Sequence, residues 1–111
     1  MILGDLGAEI IKIEIPSVGD DTRHWGPPFI GGESAYFLSI NRNKKSLTLN
    51  LNTDAGRNIF YEVAANCDVL LENFRPGVTE KLGIDYSTIA KVNSNLVYCS
   101  IASFGQTGEY R

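Results

Sequence analysis

Three adjacent side chains near the middle of the chain combine an amide, an aromatic ring and a cation. They lie in the segment Glu72-Asn-Phe-Arg-Pro-Gly77, which follows a short apolar run. Asn73 carries amide donors and an acceptor that can read the edge of a base or a ribose. Phe74 offers a flat apolar face, and Arg75 offers both a positive charge and a planar stacking surface. This combination suits an adenine nucleotide with its phosphates.

The same segment has a plainer interpretation, which the residues alone leave open. It can be a simple turn in which Phe74 belongs to the core and Arg75 is a solvated charge. Lys81, one helical turn beyond Gly77, would add a second cation to a nucleotide site. Location favours the nucleotide hypothesis, because ligands of parallel sheets bind at the carboxyl ends of the strands.

Two further segments offer weaker chemistry. Arg42, Lys44 and Lys45 form a basic cluster just before a predicted strand, where they could pair with phosphate or carboxylate or simply be solvated. Ser103–Gly108 is a glycine-containing loop after another predicted strand. Its backbone amides could face an anionic or acyl group, and a flexible connection is the alternative.

The remaining candidate groups do not form a recognisable catalytic or metal site. Asp20 and Asp21 lie near the single histidine, His24, but they lack metal-ligand spacing and are more typical of a turn or an ion pair. A single histidine also makes a Ser-His or Cys-His nucleophile pair a poor hypothesis. The segment Gly4–Gly7 precedes a strand and lacks the G-x-G-x-x-G spacing of a dinucleotide loop.

Composition excludes several classes of protein. The chain has 111 residues, 43% apolar content and a formal charge of −3, which argues against nucleic-acid binding, disorder and two independent domains. No apolar run approaches the roughly 20 residues of a membrane span. Cys67 and Cys99 show neither zinc-ligand nor Cys-x-x-Cys spacing, so we expect no metal, no disulfide framework and an intracellular setting.

The periodicity of the chain alternates between strand and helix. We expect strands over Ala8–Ile15, Ser46–Leu51, Asp68–Glu72 and Asn95–Ile101, the second with one buried face. Thr53 is expected to cap a helix over Asp54–Asn66, in which the apolar residues Ala55, Ile59, Phe60 and Val63 recur at helical spacing. Two short helices are expected over Gly77–Leu82 and Ser87–Val92, the first ending at Gly83. We also expect an ordered loop over Ser17–Ser34 and a packed apolar segment over Tyr36–Ile40. This order predicts an α/β fold with a parallel sheet.

Both termini read as interruptions of longer elements. The opening residues resemble the last turn of a helix closed by Gly7, and the C-terminal residues end inside a loop. We therefore expect this chain to be part of a longer protein.

Six stretches, taken together, resemble the class III CoA-transferases, a family that also includes the α-methylacyl-CoA racemases. They occur in the family's order and span nearly the whole chain: Leu3–Glu14, Gly19–Arg23, Asn41–Ser46, Asp68–Gly77, Leu82–Tyr86 and Phe104–Gly108. The segments around Asp20 and Asn41 are most similar to the dicarboxylate-type transferases.

The resemblance implies a fold and a binding site. It implies that residues 1–111 form part of an N-terminal, Rossmann-like large domain, whose first strand and C-terminal part lie outside this chain, in a subunit that makes an interlocked homodimer. Coenzyme A would then contact a strand and turn at Leu49, Asn50, Leu51 and Asn52. It would also contact a second segment at Asn73, Phe74 and Arg75, with a basic residue at Lys81. Ile15 occupies a family position that is sometimes an arginine in contact with the nucleotide, so the resemblance implies that this one contact is missing here.

The resemblance also implies a reaction. An aspartate nucleophile attacks an acyl-CoA such as succinyl-CoA, and CoA passes through an aspartyl intermediate to a free carboxylic acid, possibly a dicarboxylate. No aspartate of this chain matches the nucleophile, so we expect the isolated chain to be inactive. A racemase-type enzyme and a non-catalytic truncated fragment remain alternatives, and the compartment is expected to be cytoplasmic in a bacterium or mitochondrial in a eukaryote.

Overall fold

The computed structural model describes residues 1–109. The chain divides into two compact units, Met1–Asn50 and a second unit that begins at Leu51. Each unit contains one pair of parallel strands, as the predicted α/β fold requires. None of the helices in the described part of the chain is long and apolar enough to cross a bilayer.

The first unit is built around strands β1 and β4. Its elements, in chain order, are α1 (Ile2–Asp5), β1 (Ile10–Glu14), a 3-10 helix (Asp21–His24), β2 (Phe29–Ile30), β3 (Glu33–Ser34), α2 (Ala35–Ile40) and β4 (Lys44–Thr48). β1 and β4 run parallel, with Ile10 opposite Lys44 and Glu14 opposite Thr48. Gly7 has a φ of +100° just after α1, which confirms the predicted left-handed helix end.

Strand β4 begins and ends earlier than its alternating pattern predicted. The prediction was Ser46–Leu51, whereas the strand spans Lys44–Thr48 and is followed by a turn. Pairing explains the difference: β1 ends at Glu14, whose carbonyl still accepts a hydrogen bond from the N–H of Leu49. Beyond Glu14, none of residues 1–109 continues the pairing with β4. The alternation itself persists, since Leu49 is buried and Asn50 is exposed.

The segment predicted as one ordered loop contains regular structure. The 3-10 helix lies within it, and β2 and β3 form a hairpin in which Ile30 pairs with Glu33. The two residues between them, Gly31 and Gly32, have φ values of +60° and +88°, as a two-residue hairpin turn requires. The next segment forms helix α2 but is only partly packed, since Tyr36 and Leu38 are 50% and 45% exposed.

The second unit follows the predicted order of strand and helices. It contains α3 (Asp54–Ala65), β5 (Val69–Glu72), α4 (Val78–Leu82), α5 (Tyr86–Val92) and β6 (Val97–Ser100). β5 and β6 are parallel, with Val69 opposite Val97 and Glu72 opposite Ser100. Its buried apolar core consists of Phe60, Ala64, Ile84, Ile89 and Leu96.

Helix α3 forms where predicted, and its buried face includes Phe60 of the predicted apolar stripe but is otherwise shifted. Thr53 caps it, its hydroxyl accepting a hydrogen bond from the N–H of Gly56 at 3.1 Å. The buried positions are Gly56, Phe60 and Ala64, each four residues from the next, whereas Ala55 is exposed and Ile59 is 45% exposed. α3 packs against α5, and small residues allow two helices to approach closely. Hydrophobicity alone had favoured Ile59, and not Gly56, as a residue of the buried face of α3.

Candidate functional site

A cleft lies at the carboxyl ends of β5 and β6. Because the strands are parallel and adjacent, the loops that follow them leave the sheet at the same edge. The cleft has a volume of about 640 Å³, and its walls come from these two loops: Asn73, Phe74, Arg75 and Pro76 on one side, and Ile101, Ala102, Ser103, Phe104 and Gly105 on the other. A cavity of this size is within the range of sites for small molecules.

Glu72, the last residue of β5, connects both walls of the cleft. Its side chain is buried, with 7% of its surface exposed, and its Oε2 accepts a hydrogen bond from the N–H of Phe74 at 2.7 Å. Its backbone carbonyl accepts a hydrogen bond from the N–H of Ile101 at 2.9 Å. On either side of the second wall in sequence, Gln106 Nε2 donates to Ser100 Oγ at 2.7 Å.

The structure places Asn73, Phe74 and Arg75 together in the cleft wall. All three are exposed, and Phe74 has 40% of its surface accessible. The interpretation of Phe74 as a core residue is therefore wrong for the described chain. Lys81 is exposed on α4 but does not belong to the residues that line the cleft.

The other four predicted binding residues lie where one unit ends and the next begins. Leu49 is 7% exposed, so its side chain is committed to packing. Asn50 and Asn52 are exposed and Leu51 is half-buried. The carbonyl of Leu51 accepts a hydrogen bond from Arg57 Nη1 at 3.0 Å, which ties this turn to the start of α3.

Sequence reasoning missed two contributors to the cleft. Glu72 was treated only as the end of a strand, and Ile101 only as part of the next strand. Ile101 is 54% exposed and Phe104 is 71% exposed, so the second wall is apolar and accessible. Ser103, Phe104 and Gly105 of this wall belong to the loop Ser103–Gly108 that the sequence had singled out. The signal that could have joined Ile101 to it was the parallel order of β5 and β6, which brings residues after Glu72 and after Ser100 to one edge.

Tyr98 lies on β6 beside this edge but is not available as an acid or base. Its hydroxyl donates to the carbonyl of Ile84 at 2.9 Å. Burial, together with the nearby negative charge of Glu72, raises the pKa of Tyr98 to about 12. The phenol therefore stays protonated at neutral pH, and its hydrogen bond ties β6 to Ile84, in the segment just before α5.

The basic cluster of the first unit is paired with groups of the chain itself. Arg42 contacts both carboxylate oxygens of Asp5, at 2.6 Å and 3.1 Å, and the hydrogen bond from Arg42 lowers the pKa of that carboxyl. Lys45 forms an ion pair with Glu9. Lys44 Nζ donates to Asn41 Oδ1 at 2.9 Å. These contacts favour carboxylate pairing over a bound phosphate at this cluster.

One of the two carboxylates near the single histidine, Asp20, is structural. Asp20 caps the 3-10 helix by accepting from the N–H of Thr22 at 2.7 Å, and it forms an ion pair with Lys12. The hydrogen bonds from Lys12 and Thr22 outweigh partial burial, which alone would raise the pKa, and so lower the pKa of Asp20 to about 2. Asp85 likewise caps α5. Within residues 1–109, no three His, Cys, Asp or Glu side chains are grouped so as to hold a metal ion.

Comparison with known proteins agrees with this arrangement. The sequence model of CoA-transferase family III matches residues 1–111. Among curated proteins, the chain is 55% identical over 108 residues to succinyl-CoA:glutarate CoA-transferase of Mus musculus, covering 97% of this chain and 25% of the relative. It is 53% identical over 107 residues to acetyl-CoA:oxalate CoA-transferase of Acetobacter aceti, covering 96% of this chain and 27% of the relative. The chain thus spans about a quarter of the length of these relatives.

Solved structures show the same relationship. A CAIB/BAIF family protein from Brucella suis superimposes with a TM-score of 0.92 at 48% identity, over 97% of this chain and 29% of that protein. The resemblance inferred from six short motifs is therefore confirmed by sequence and by structure. The chain belongs to CoA-transferase family III.

Proposed function

We propose that this protein transfers CoA from an acyl-CoA to a free carboxylic acid, and that residues 1–111 supply part of the CoA-binding site. The observation that carries the proposal is the cleft at the carboxyl ends of β5 and β6, lined by Asn73, Phe74 and Arg75. It belongs to a chain of CoA-transferase family III. An exposed ring, an amide and a guanidinium side by side match the parts of an adenine nucleotide.

Each of these three side chains has a distinct role in the proposed site. The ring of Phe74 provides a stacking surface for adenine, an interaction worth about 1–3 kcal/mol per base. The guanidinium of Arg75 pairs with phosphate oxygens, and Asn73 reads the edge of the base or ribose. Lys81 adds a cation near the phosphates, and the turn Leu49–Asn52 provides further contacts.

The proposed chemistry proceeds by covalent catalysis in the longer protein. An aspartate outside residues 1–111 attacks the thioester carbonyl, giving an acyl-aspartyl anhydride and CoA thiolate. The thiolate then attacks the aspartyl carbonyl, which releases the donor carboxylate and leaves an aspartyl-CoA thioester. The acceptor carboxylate then attacks the aspartyl-CoA thioester, and the same two steps run in reverse, which yields the new acyl-CoA and regenerates the aspartate. Amides of the loop Ser103–Gly108 would stabilise the developing oxyanion, in a Rossmann-like domain of a homodimer.

The relatives guide the choice of substrates. Two of them are named for the transfer of CoA to or from the dicarboxylates succinate, glutarate and oxalate. We therefore propose succinyl-CoA or a similar thioester as the donor and a dicarboxylic acid as the acceptor. Such a reaction belongs in an intracellular compartment, the cytoplasm in a bacterium or the mitochondrion in a eukaryote.

The test is a CoA-exchange assay on the purified protein that contains this chain. Succinyl-CoA is incubated with glutarate or oxalate, and mass spectrometry follows the new acyl-CoA, with a monocarboxylic acid as the matched control. We expect a new dicarboxylyl-CoA, and none from residues 1–111 alone. No CoA exchange with any acid, combined with deuterium exchange at Cα of a 2-methylacyl-CoA, would instead identify a racemase-type enzyme and refute the proposal.

A further inference from the structure

We infer that Glu72 is a positioning residue whose side chain holds the Phe74 wall of the CoA cleft against the end of β5, to which the Ile101 wall is tied by a backbone hydrogen bond. This inference rests on the proposed function, because the cleft is the proposed CoA site. It gives a role to a buried carboxylate that the sequence analysis treated only as the end of a strand and that is not one of the proposed CoA-binding residues. Glu72 itself is not among the residues that line the cleft, so it acts through its neighbours.

The hydrogen bonds of Glu72 reach both loops. Oε2 accepts from the N–H of Phe74 at 2.7 Å, which fixes the backbone between the stacking ring and the end of β5. The carbonyl of the same residue accepts from the N–H of Ile101 at 2.9 Å, the first residue of the opposite wall. The side chain therefore ties the Phe74 wall to a strand end whose backbone already holds Ile101, and only the first of these two bonds depends on the identity of residue 72.

Burial makes this arrangement specific. Glu72 is 7% exposed, and a buried carboxylate is costly unless it accepts hydrogen bonds. The short bond to the N–H of Phe74 meets that need, and a charged acceptor makes it stronger than a bond between neutral groups. The turn is thus held by a side chain that cannot easily exchange its partner for water. Phe74 can then present its ring at a fixed angle, before any ligand arrives.

The inference is tested on the purified protein by combining CoA affinity with backbone protection. Glu72→Ala removes the acceptor, so CoA binds about tenfold more weakly in calorimetry. The KM for acyl-CoA rises by a similar factor. The kcat changes by less than about threefold, because the substitution removes only the bond to the Phe74 wall and leaves the backbone hydrogen bond to Ile101, from which the loop Ser103–Gly108 continues. Glu72→Gln keeps a carbonyl oxygen at the same reach, so it restores most of the affinity. Hydrogen exchange at the Phe74 amide accelerates in Glu72→Ala but not in Glu72→Gln.

A control separates positioning from general stability. Asp85→Ala removes the cap of α5 in the same unit and leaves the cleft walls untouched, so it lowers the melting temperature without changing the KM. If Glu72→Ala behaves like Asp85→Ala, the inference is wrong.

If Glu72→Ala does not fold, Glu72→Asp, with its shorter carboxylate, takes its place. The same weaker CoA binding is expected for Glu72→Asp, and unchanged binding would contradict the inference. Wild-type protein that fails to bind CoA would overturn the proposed function and this inference together, whereas binding that is lost in Phe74→Ala but unchanged in Glu72→Ala would overturn only the inference.

Discussion

Replacing Glu14 by glutamine should destabilise the protein by about 3 kcal/mol at pH 7. Glu14 is 5% exposed and ends strand β1. Its Oε2 accepts from Arg23 Nε and from the N–H of Asp20, both at 2.8 Å. Its Oε1 accepts from Arg23 Nη2 at 3.0 Å and from Ser46 Oγ at 2.9 Å. Glutamine removes the charge and places an amide donor among these donors.

The magnitude follows from the proton affinity of the carboxyl. The hydrogen bonds from Arg23, outweighing the effect of burial, lower the pKa of Glu14 from 4.5 to about 2. Each pKa unit corresponds to about 1.4 kcal/mol of differential stabilisation, so the shift corresponds to about 3 kcal/mol. Because the folded-state pKa lies below the ordinary value, this stability is present above about pH 5. It is lost as the pH falls from 4.5 towards 2.

The assay is equilibrium denaturation of the purified protein at several pH values. Glu9→Gln is the matched control, because Glu9 makes an exposed ion pair with Lys45 and its loss should change little. Between pH 5 and 2, the free energy of unfolding of wild type should fall more steeply than that of Glu14→Gln, by up to about 1.4 kcal/mol per pH unit. Equal losses for the two glutamine variants at pH 7, or parallel pH curves, would refute the reasoning.

Three further changes test the second unit. Thr53→Ala should cost about 1 kcal/mol by removing the cap of α3, while Thr53→Ser should cost much less; equal losses in thermal unfolding would contradict the capping role. Gly83→Ala should cost about 1–2 kcal/mol because the residue has a φ of +70° and an added Cβ would lie 3.1 Å from the hydroxyl oxygen of Tyr61; an unchanged melting temperature would contradict this. Asn93→Ala should cost about 2 kcal/mol, since Nδ2 donates to the carbonyl of Cys67 at 2.9 Å, and Ser94→Ala, an exposed neighbour, should change little.

Local sequence patterns predicted the elements of the second unit well. The strand around Val69, the cap at Thr53 and the helix end at Gly83 all depend on a few adjacent residues, so they are visible in the sequence. Gly83 has a φ of +70°, as its position at the end of α4 suggested. The left-handed pair Gly31 and Gly32 was an equally local signal, but it was not used to predict a hairpin.

The errors arose where distant residues determine the outcome. β4 ends at Thr48 because its partner β1 ends, and the face of α3 that is buried, which includes Gly56, depends on tertiary packing. The contacts of Glu14 join residues up to 32 positions apart, which no local pattern specifies. For the same reason, the cleft residues Asn73, Phe74 and Arg75 were found from chemistry and strand position, whereas the role of Glu72 required the pairing of β5 with β6.

The most direct test of the account is the CoA affinity of a variant in which Phe74 and Arg75 are both alanine. Calorimetry on the purified protein should show at least about a fiftyfold loss, from the stacking surface and the phosphate partner together. Phe29→Ala combined with Arg42→Ala is the matched control, because both residues are exposed and lie outside the cleft; its affinity should equal that of wild type. Wild-type affinity in the Phe74 and Arg75 double variant would contradict the proposed CoA site.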